Sequence, residues 1–344
     1  MITEIRKEKN MTQFYSLKID AYAHVVPPKY KNFLEEIAPR ECEMKITPFP
    51  ALFDFDLRFR IMEKFGNLVQ VLTLGWPPIE DIAGPDKAVE LSMRANDEMA
   101  ELVIKHPDKF VAAIAVLPVN NMEAALKEAD RAINDLRFRG VYLHTPVNGK
   151  PLDSPEFIPL FQKMSEYKLP IFIHPMRPRE HADYKTLPFS KYAIFSTFGW
   201  PYETTAAMTH LVFSGIMEKF PNLKVVTHHC GGMVPYFASR IEEFYDIGEM
   251  IVHDRETYEF TRSRSIIDYF KMFYADTALY GNPSALMCGF NFFGADNILF
   301  GVDTPLGDNQ HGYRNYRQTI QAIEEMNISE VDRNALFQQK TQEI

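Results

Sequence analysis

The chain has 344 residues, of which 46% are hydrophobic and 24% charged, proportions that supply a large core and exclude a mainly disordered protein. Its 46 acidic against 37 basic residues give a net charge of −9, and because no basic tract is present to neutralise phosphates, we expect no nucleic-acid partner. The longest apolar run, Phe110 to Val119, contains Pro118 and is shorter than the roughly 20 residues of a membrane helix, so no membrane span is expected. The first residues lack the apolar region of a signal peptide, and we therefore expect a cytoplasmic location.

Short runs of β-branched and aromatic residues alternate along the chain with longer stretches that carry apolar residues at helical spacing. This alternation is typical of βα units around a parallel sheet. Eight such runs with intervening helices predict an α/β fold, a (β/α)8 TIM barrel that forms a single domain over residues 1–344. In chain order, the predicted strands are Ser16–Ala21, Leu68–Leu74, Phe110–Leu117, Phe138–His144, Pro170–His174, Lys224–His229, Met272–Ala275 and Ile298–Val302.

The segments between the strands predict helices and two insertions. Residues 25–59, rich in proline and aromatics, are too long for a simple βα loop and predict a lid-like insertion after the first strand. A second insertion is predicted from Met176 to Pro201, and residues 1–15 are expected to form a flexible N-terminal segment. The predicted helices are Asp86–Lys105, Asn121–Asp135, Ser154–Tyr167, Glu203–Phe220, Met233–Tyr245 and a closing helix Gln310–Glu325.

Metal-capable side chains recur at the predicted strand ends. The three cysteines are widely spaced and form no CxxC pair, which argues against a thiolate site and leaves the ten histidines and the carboxylates as ligands. The carboxyl ends of barrel strands meet at one mouth, where active sites form. A single histidine or aspartate there is more often a packing residue or a helix cap, but His24, His174 and Asp303 together match the ligands of Zn²⁺ or Mn²⁺. The polar residues at these ends are Asp20, Tyr22, His24, His144, His174, His228, His229, Asp276 and Asp303.

Eight segments in a fixed order carry a family resemblance. They are IDAYAHVVPP, LRFRIMEKFGNLVQVLT, YLHTPVNGKPLDSPEF, LPIFIHP, GWPYETTAAM, LKVVTHHCGGMVPYFASRI, YADT and LFGVDTP, which together span Ile19 to Pro305. Through them the chain resembles the amidohydrolase superfamily, and within it the amidohydrolase-2 group that includes aminocarboxymuconate semialdehyde and γ-resorcylate decarboxylases. The resemblance implies a divalent metal ion, with zinc expected and manganese as the alternative.

The resemblance also implies the roles of the site residues. His24, His174 and Asp303 match metal ligands, and His229 matches a catalytic histidine close to the metal. His229 is preferred to His228 because it lies six residues before Pro235 in HCGGMVP. Since neighbouring strand residues point to opposite faces, only one of these two histidines is expected to face the barrel interior.

Four residues are predicted to contact the substrate. Arg240 in ASRI matches an arginine that, in the family, reaches a neighbouring subunit's site and binds a substrate carboxylate, which implies a homodimer. Tyr22 stands where the family has the first His or Glu of an HxH or ExH element, and a phenol with a pKa of about 10 is a poor metal ligand. Tyr22 is therefore a phenolate ligand, a hydrogen-bond donor to substrate or a packing residue. His144 is a replacement ligand, a substrate contact or a structural residue, and Trp200 in GWPYET resembles a family segment near the pocket.

These residues predict a metal-dependent decarboxylase acting on a small unsaturated or aromatic carboxylic acid. In that mechanism the metal binds the substrate's carboxylate or an adjacent oxygen, Asp303 or His229 manages the proton that reaches the carbon losing CO₂, and Arg240 positions the carboxylate. A metal-dependent hydrolase of a lactone, ester, amide or C–C bond would need nearly the same residues. A third hypothesis, prompted by Tyr22, is a metal-free binding protein.

Overall fold

The structure is a computed structural model that describes residues 17–252 and 262–343. The predicted flexible segment, residues 1–15, lies outside the described residues. All strand pairs are parallel, in a sheet of order β1-β2-β3 and a second of order β4-β5-β6-β7-β8. The strands are β1 (Lys18–Val25), β2 (Leu68–Leu74), β3 (Phe110–Ala113), β4 (Ala115–Val116), β5 (Val141–Thr145), β6 (Pro170–Pro175), β7 (Lys224–Thr227) and β8 (Tyr274–Ala275).

The two sheets join into one barrel at both of their edges. At Ile114, between β3 and β4, the chain crosses from one sheet to the other, since the Ile114 amide bonds Leu72 in β2 and the Ala115 amide bonds Gly140 just before β5. At the other edge, residues 298–304 bridge β8 and β1, with Leu299 N to Ala275 O and Ala21 N to Phe300 O both 2.8 Å. The predicted (β/α)8 barrel is thereby confirmed.

The predicted strand Ile298–Val302 is not a regular strand in the described residues. It pairs through isolated bridges, Ala275 with Ile298 and Ala23 with Thr304. The backbone of Asp303 at the end of this segment has φ 62°, a left-handed conformation that a ladder cannot accommodate. The first strand, in contrast, is longer than predicted and runs to Val25, so that Tyr22 and His24 lie within β1 and not after it.

The helices surround the barrel largely as predicted. Asn121 caps its helix by accepting from the amide of Ala124 at 3.2 Å, and the predicted helix over Glu203–Phe220 is broken at Gly215, whose φ is 77°. In the described residues, no helix has the combined length and apolar character that crossing a membrane requires. The α-helices are Pro28–Ile37, Pro39–Glu41, Phe55–Met62, Ile79–Ile82, Pro85–Lys105, Met122–Asn134, Ile158–Tyr167, Ile194–Thr197, Gly199–Phe213, Ile216–Lys219, Ala238–Val252, Ile266–Phe270, Pro283–Phe293, Tyr313–Glu325 and Glu330–Glu343.

Buried apolar residues form two clusters. The larger lies between strands and helices, and the smaller takes residues from most of the strands, as expected for a barrel interior. The smaller cluster contains Tyr22, Tyr142 and Phe172, which fill the space directly beneath the carboxyl ends of the strands. The pairing of β1 with β2 shifts register between Asp20 and Ala23, just before His24.

The insertion between β1 and β2 is helical and firmly packed. Its helix Pro28–Ile37 buries Tyr30 and Leu34 in the main core, and a π-helical turn, Cys42–Ile46, buries Ile46. The Lys45 ammonium on this turn lies 5.6 Å from the ring centre of Trp76, at the mouth of the barrel. The insertion therefore reaches the mouth, and its action as a lid stays a prediction.

Candidate active site

Four buried side chains meet at the carboxyl ends of the strands. They are His24 on β1, His174 on β6, His228 directly after β7 and Asp303 on the closing segment, and each offers a ligand atom within 4.8 Å of the others. None of the four is more than 2% exposed. The barrel thus brings together the three predicted metal ligands and adds His228.

The distances and missing hydrogen bonds in this group fit a divalent cation. Asp303 Oδ1 lies 3.1 Å from His24 Nε2 and 3.3 Å from His228 Nε2. Two ligands of a tetrahedral cation with bonds of about 2.1 Å are separated by about 3.4 Å, so these spacings match the edges of such a site. In the described structure, His24 Nε2, His174 Nδ1, His228 Nε2 and Asp303 Oδ1 are buried without a hydrogen-bond partner of good geometry. Buried polar atoms are normally satisfied, and a cation would satisfy several of these at once.

The outer nitrogens of two histidines are held by neighbouring groups. His24 Nδ1 is 3.1 Å from the Thr73 hydroxyl, and His228 Nδ1 forms a short contact with Asp276 Oδ2. The other Asp276 oxygen accepts from the amide of Cys230 at 2.9 Å, which fixes the carboxylate. Partners of this kind orient imidazoles that bind metals and raise their basicity.

Charge and burial set the protonation of the group. Burial lowers the pKa of His24 and lowers that of His174 well below its usual range, so both rings are neutral and able to bind a cation. Burial also opposes a charge on His228, but Asp276 and Asp303 outweigh it and raise the His228 pKa to about 10. Burial disfavours the Asp303 anion, yet the adjacent imidazoles of His228 and His24 hold the pKa of Asp303 well below the usual range. The site therefore presents a carboxylate and the neutral imidazoles of His24 and His174, whereas His228 is protonated and would release its Nε2 proton on binding a cation.

His228 and His229 both enter the site, so the expectation that they point to opposite faces is wrong. Their ring centres are 4.0 Å apart, and His229 Nε2 lies 4.0 Å from Asp303 Oδ2. The reason is local: β7 ends at Thr227, and His229 adopts φ 54°, which breaks the strand alternation. Burial lowers the pKa of His229 to about 3, and its ring is neutral.

Tyr22 is engaged within the barrel. It is fully buried, its hydroxyl donates to the Ile173 carbonyl at 3.0 Å, and its ring stacks on His228 at a centroid distance of 4.3 Å. Burial raises the Tyr22 pKa well above its usual value and keeps the phenol protonated. Of the predicted alternatives, these contacts favour the packing residue.

Aromatic rings line the mouth above the histidines. Trp200 is the second residue of the helix Gly199–Phe213. Its ring centre lies 5.8 Å from that of His174 and 6.3 Å from that of His229, on which it stacks with an interplanar angle of 25°. Trp76 packs 5.2 Å from Trp200, and His144 on β5 lies 5.6 Å from His174. Burial, with the charges of His24 and Lys45 nearby, lowers the His144 pKa to about 3. Trp200 and His144 thus border the site, and their contact with substrate stays a prediction.

Arg240 lies on the surface of its own chain. It stands in the first turn of the helix Ala238–Val252, is exposed, and its guanidinium stacks 4.0 Å above the Phe244 ring. Among the contacts of the described residues, none joins Arg240 to the four-residue group.

Comparison with known proteins settles the family. Residues 19–339 match the family model of the amidohydrolases, Amidohydro_2. The chain belongs to this amidohydrolase family. It is 30% identical over 292 residues to the γ-resorcylate decarboxylase of Polaromonas sp., covering 82% of this chain and 84% of the relative. It is 27% identical over 337 residues to the 2-amino-3-carboxymuconate-6-semialdehyde decarboxylase of Dictyostelium discoideum, covering 90% and 87%.

A solved structure of similar fold contains a metal. This amidohydrolase superposes on a dihydroxybenzoic acid decarboxylase from Polaromonas sp. with a TM-score of 0.77 and 26% identity, covering 95% of this chain and 96% of the other. That enzyme holds manganese and the inhibitor 2-nitroresorcinol. The predicted family and barrel fold are confirmed, and the relatives compared here are decarboxylases, the class that the sequence predicts.

Three residues at the amidohydrolase site were not assigned a role from the sequence. Asp276 was identified only as a strand-end residue, although its place in YADT was a usable signal. Trp76 forms a wall of the mouth with Trp200, with ring centres 5.2 Å apart. Tyr280 donates a hydrogen bond of 2.9 Å to Asp303 Oδ2, and nothing in its local sequence indicates this contact.

Proposed function

We propose that this amidohydrolase is a divalent-metal-dependent decarboxylase whose substrate is a small aromatic or unsaturated carboxylic acid. The observation that carries the proposal is the buried group of His24, His174, His228 and Asp303, whose ligand atoms lie within 4.8 Å of one another. The relatives support the reaction, because those compared above are decarboxylases of a resorcylate, a carboxymuconate semialdehyde and a dihydroxybenzoic acid.

Within this proposal, His24, His174 and Asp303 hold the metal, with His228 beside them as the further donor. A bound divalent cation would neutralise the substrate's carboxylate or an adjacent oxygen as a Lewis acid. We propose manganese before the zinc expected from the sequence, because the similar dihydroxybenzoic acid decarboxylase contains manganese. Nitrogen and oxygen donors bind both ions, so this choice needs a direct test.

The aromatic mouth gives the substrate its orientation. Trp76 and Trp200 provide two indole surfaces beside His174, and offset stacking on such rings favours a planar aromatic acid by about 1 kcal/mol beyond simple burial. Because the Trp200 indole nitrogen is buried without a hydrogen-bond partner, it can donate to a substrate oxygen. The neutral His144 ring offers a further polar contact at the same wall.

The reaction breaks one bond and forms another. The bond between the ring or vinyl carbon and its carboxylate breaks, CO₂ leaves, and a proton binds the carbon. Two groups are placed to manage this proton, His229 and Asp303, whose Nε2 and Oδ2 atoms are 4.0 Å apart. Because His229 is neutral and Asp303 is ionised, the proton enters with the acid substrate, is taken up by one of these two groups and passes from it to the carbon as CO₂ leaves, while their burial excludes bulk water.

Arg240 completes the site from a second copy of the chain in this proposal. Its exposed guanidinium is available to a neighbouring protomer, and a bidentate pair with the substrate carboxylate would then position the leaving group. A homodimer is the simplest assembly in which each chain gives and receives this arginine.

The experiment uses metal-free protein reloaded with Mn²⁺ or Zn²⁺ and 2,6-dihydroxybenzoate as substrate, following CO₂ release. We expect CO₂ formation only in the loaded protein, lost in His174→Ala and kept in His210→Ala, an exposed histidine paired with Asp153. If the product incorporates ¹⁸O from water and no CO₂ is released, the reaction is a hydrolysis and not a decarboxylation. Less than about 0.1 metal ion per chain after reloading would overturn the metalloenzyme altogether.

A further inference from the structure

The two oxygens of Asp303 have separate partners. Oδ1 faces the imidazoles, 3.1 Å from His24 Nε2 and 3.3 Å from His228 Nε2. Oδ2 accepts a hydrogen bond of 2.9 Å from the Tyr280 hydroxyl and lies 4.0 Å from His229 Nε2. A carboxylate held at only one oxygen can rotate about its terminal bond, since the rotamers of that bond are broad. The Tyr280 hydroxyl removes this freedom.

The chain is shaped locally to deliver this hydroxyl. Tyr280 follows β8 and has φ 52°, a left-handed conformation that is unusual for a tyrosine. Across from it, Gly307 has φ +63°, and a Cβ at that position would lie 2.6 Å from the Tyr280 hydroxyl oxygen. The absence of a side chain at Gly307 therefore makes the room that the phenol needs. Two separate departures from ordinary backbone conformation converge on one hydrogen bond.

The Tyr280 side chain is poorly placed to act as core packing. The residue is 44% exposed, so its ring contributes little to the barrel interior. Its hydroxyl nevertheless reaches one of the most deeply buried carboxylates of the site, which is 1% exposed. In this contact the phenol is the donor and the Asp303 carboxylate the acceptor, since an ionised carboxylate has no proton to give.

We propose that Tyr280 is a positioning residue, which holds the Asp303 carboxylate with Oδ1 turned toward the histidines and thereby strengthens metal binding. This inference rests on the metal site of the proposed function and deepens it. Groups that hydrogen-bond a metal-binding carboxylate typically change metal affinity by about 10- to 100-fold when they are removed. Because Tyr280 is partly exposed and makes a single hydrogen bond, we expect the lower end of that range.

The test measures Mn²⁺ binding to the metal-free full chain, without substrate. Tyr280→Phe keeps the ring and removes the hydroxyl, and we expect a dissociation constant about 10-fold weaker than that of the wild type. The matched control is Tyr192→Phe, because Tyr192 is also a left-handed tyrosine, with φ 56°, and is 90% exposed. The control is expected to bind Mn²⁺ like the wild type, and thermal unfolding of the metal-free proteins is expected to be the same for all three.

A second readout separates positioning from a general structural effect. In Co²⁺-loaded protein, visible absorption reports the ligand geometry, and we expect Tyr280→Phe to change this spectrum while Tyr192→Phe does not. Gly307→Ala, which pushes the phenol away without altering it, is expected to change the spectrum in the same direction as Tyr280→Phe. Wild-type affinity and spectrum in Tyr280→Phe would overturn this inference and leave the proposed function standing. Absence of Mn²⁺ binding by the wild type would overturn both.

Discussion

A buried carboxyl beside the mouth of the barrel gives a quantitative prediction about stability. Glu80 lies in the short helix Ile79–Ile82 after Trp76 and is only 9% exposed. Burial first, with the nearby Asp81 charge, raises the Glu80 pKa from 4.5 to about 7. At 1.36 kcal/mol for each pKa unit, this difference corresponds to roughly 3 kcal/mol of stability.

The sign follows from proton binding. Between pH 4.5 and about 7, the folded chain holds a proton on Glu80 that the unfolded chain has released, so this group's contribution to stability falls as the pH rises. The contribution of Glu80 to the free energy of unfolding is fully favourable below about pH 4.5 and fully lost above about pH 7. Glu80→Gln removes the ionisation. Relative to the wild type, the variant is expected to gain roughly 2 to 3 kcal/mol when the pH is raised from about 5 to about 8.5.

Urea denaturation at these two pH values measures the effect. Glu36→Gln is the control, because Glu36 is an exposed carboxylate on the helix Pro28–Ile37 and its substitution makes the same change in net charge. We expect the control to follow the wild type at both pH values. A difference between Glu80→Gln and wild type that stays constant from pH 5 to 8.5 would refute the reasoning from burial.

Three further predictions concern the site. Asp276→Asn leaves His228 without its carboxylate partner, so Mn²⁺ affinity is expected to fall roughly 10- to 100-fold, and equal affinity would show that Asp276 does not orient the ring. Trp200→Ala removes a wall of the mouth, and we expect KM for 2,6-dihydroxybenzoate to rise about 10-fold with little change in kcat; a loss confined to kcat would contradict this. Mixing His24→Ala with Arg240→Ala protein is expected to restore activity that neither variant has alone, because mixed dimers contain one complete site; no recovery would place the action of Arg240 within its own chain.

Sequence patterns predict the barrel well where apolar runs are regular. Leu68–Leu74 is correct to the residue because its β-branched and apolar run ends at a Gly-Trp-Pro segment. The end of β1 was placed too early, because its final residues include Tyr22 and His24, whose polar groups interrupt the apolar run. The predicted strand Ile298–Val302 was wrong for the opposite reason. Its apolar residues follow a strand pattern, but the left-handed backbone of Asp303 prevents a regular ladder.

The candidate site was predictable in the residues that belong to regular strands. His174 lies on a strand that was predicted almost to the residue, β6, so its direction follows from the strand that carries it, whereas His24 lies beyond the predicted end of β1. His229 could not be oriented in this way, because the strand ends two residues earlier and its backbone is left-handed. Tyr280 and Asp303 are 23 residues apart, and their contact depends on the turn between them and on Gly307. Contacts of this kind arise from three-dimensional packing, which no local pattern contains.

The irregular closing segment has a consequence for local opening of the barrel. The seam between the first and the last part of the barrel is held by scattered backbone hydrogen bonds, such as His24 N to Thr304 O at 2.8 Å, and not by a continuous ladder. His24 and Asp303 lie on opposite sides of this seam, so an ion bound by both would cross-link the first and the last segment of the barrel. Amide hydrogens along the seam should then exchange more slowly in the metal-loaded protein, and local opening would begin there when the ion leaves.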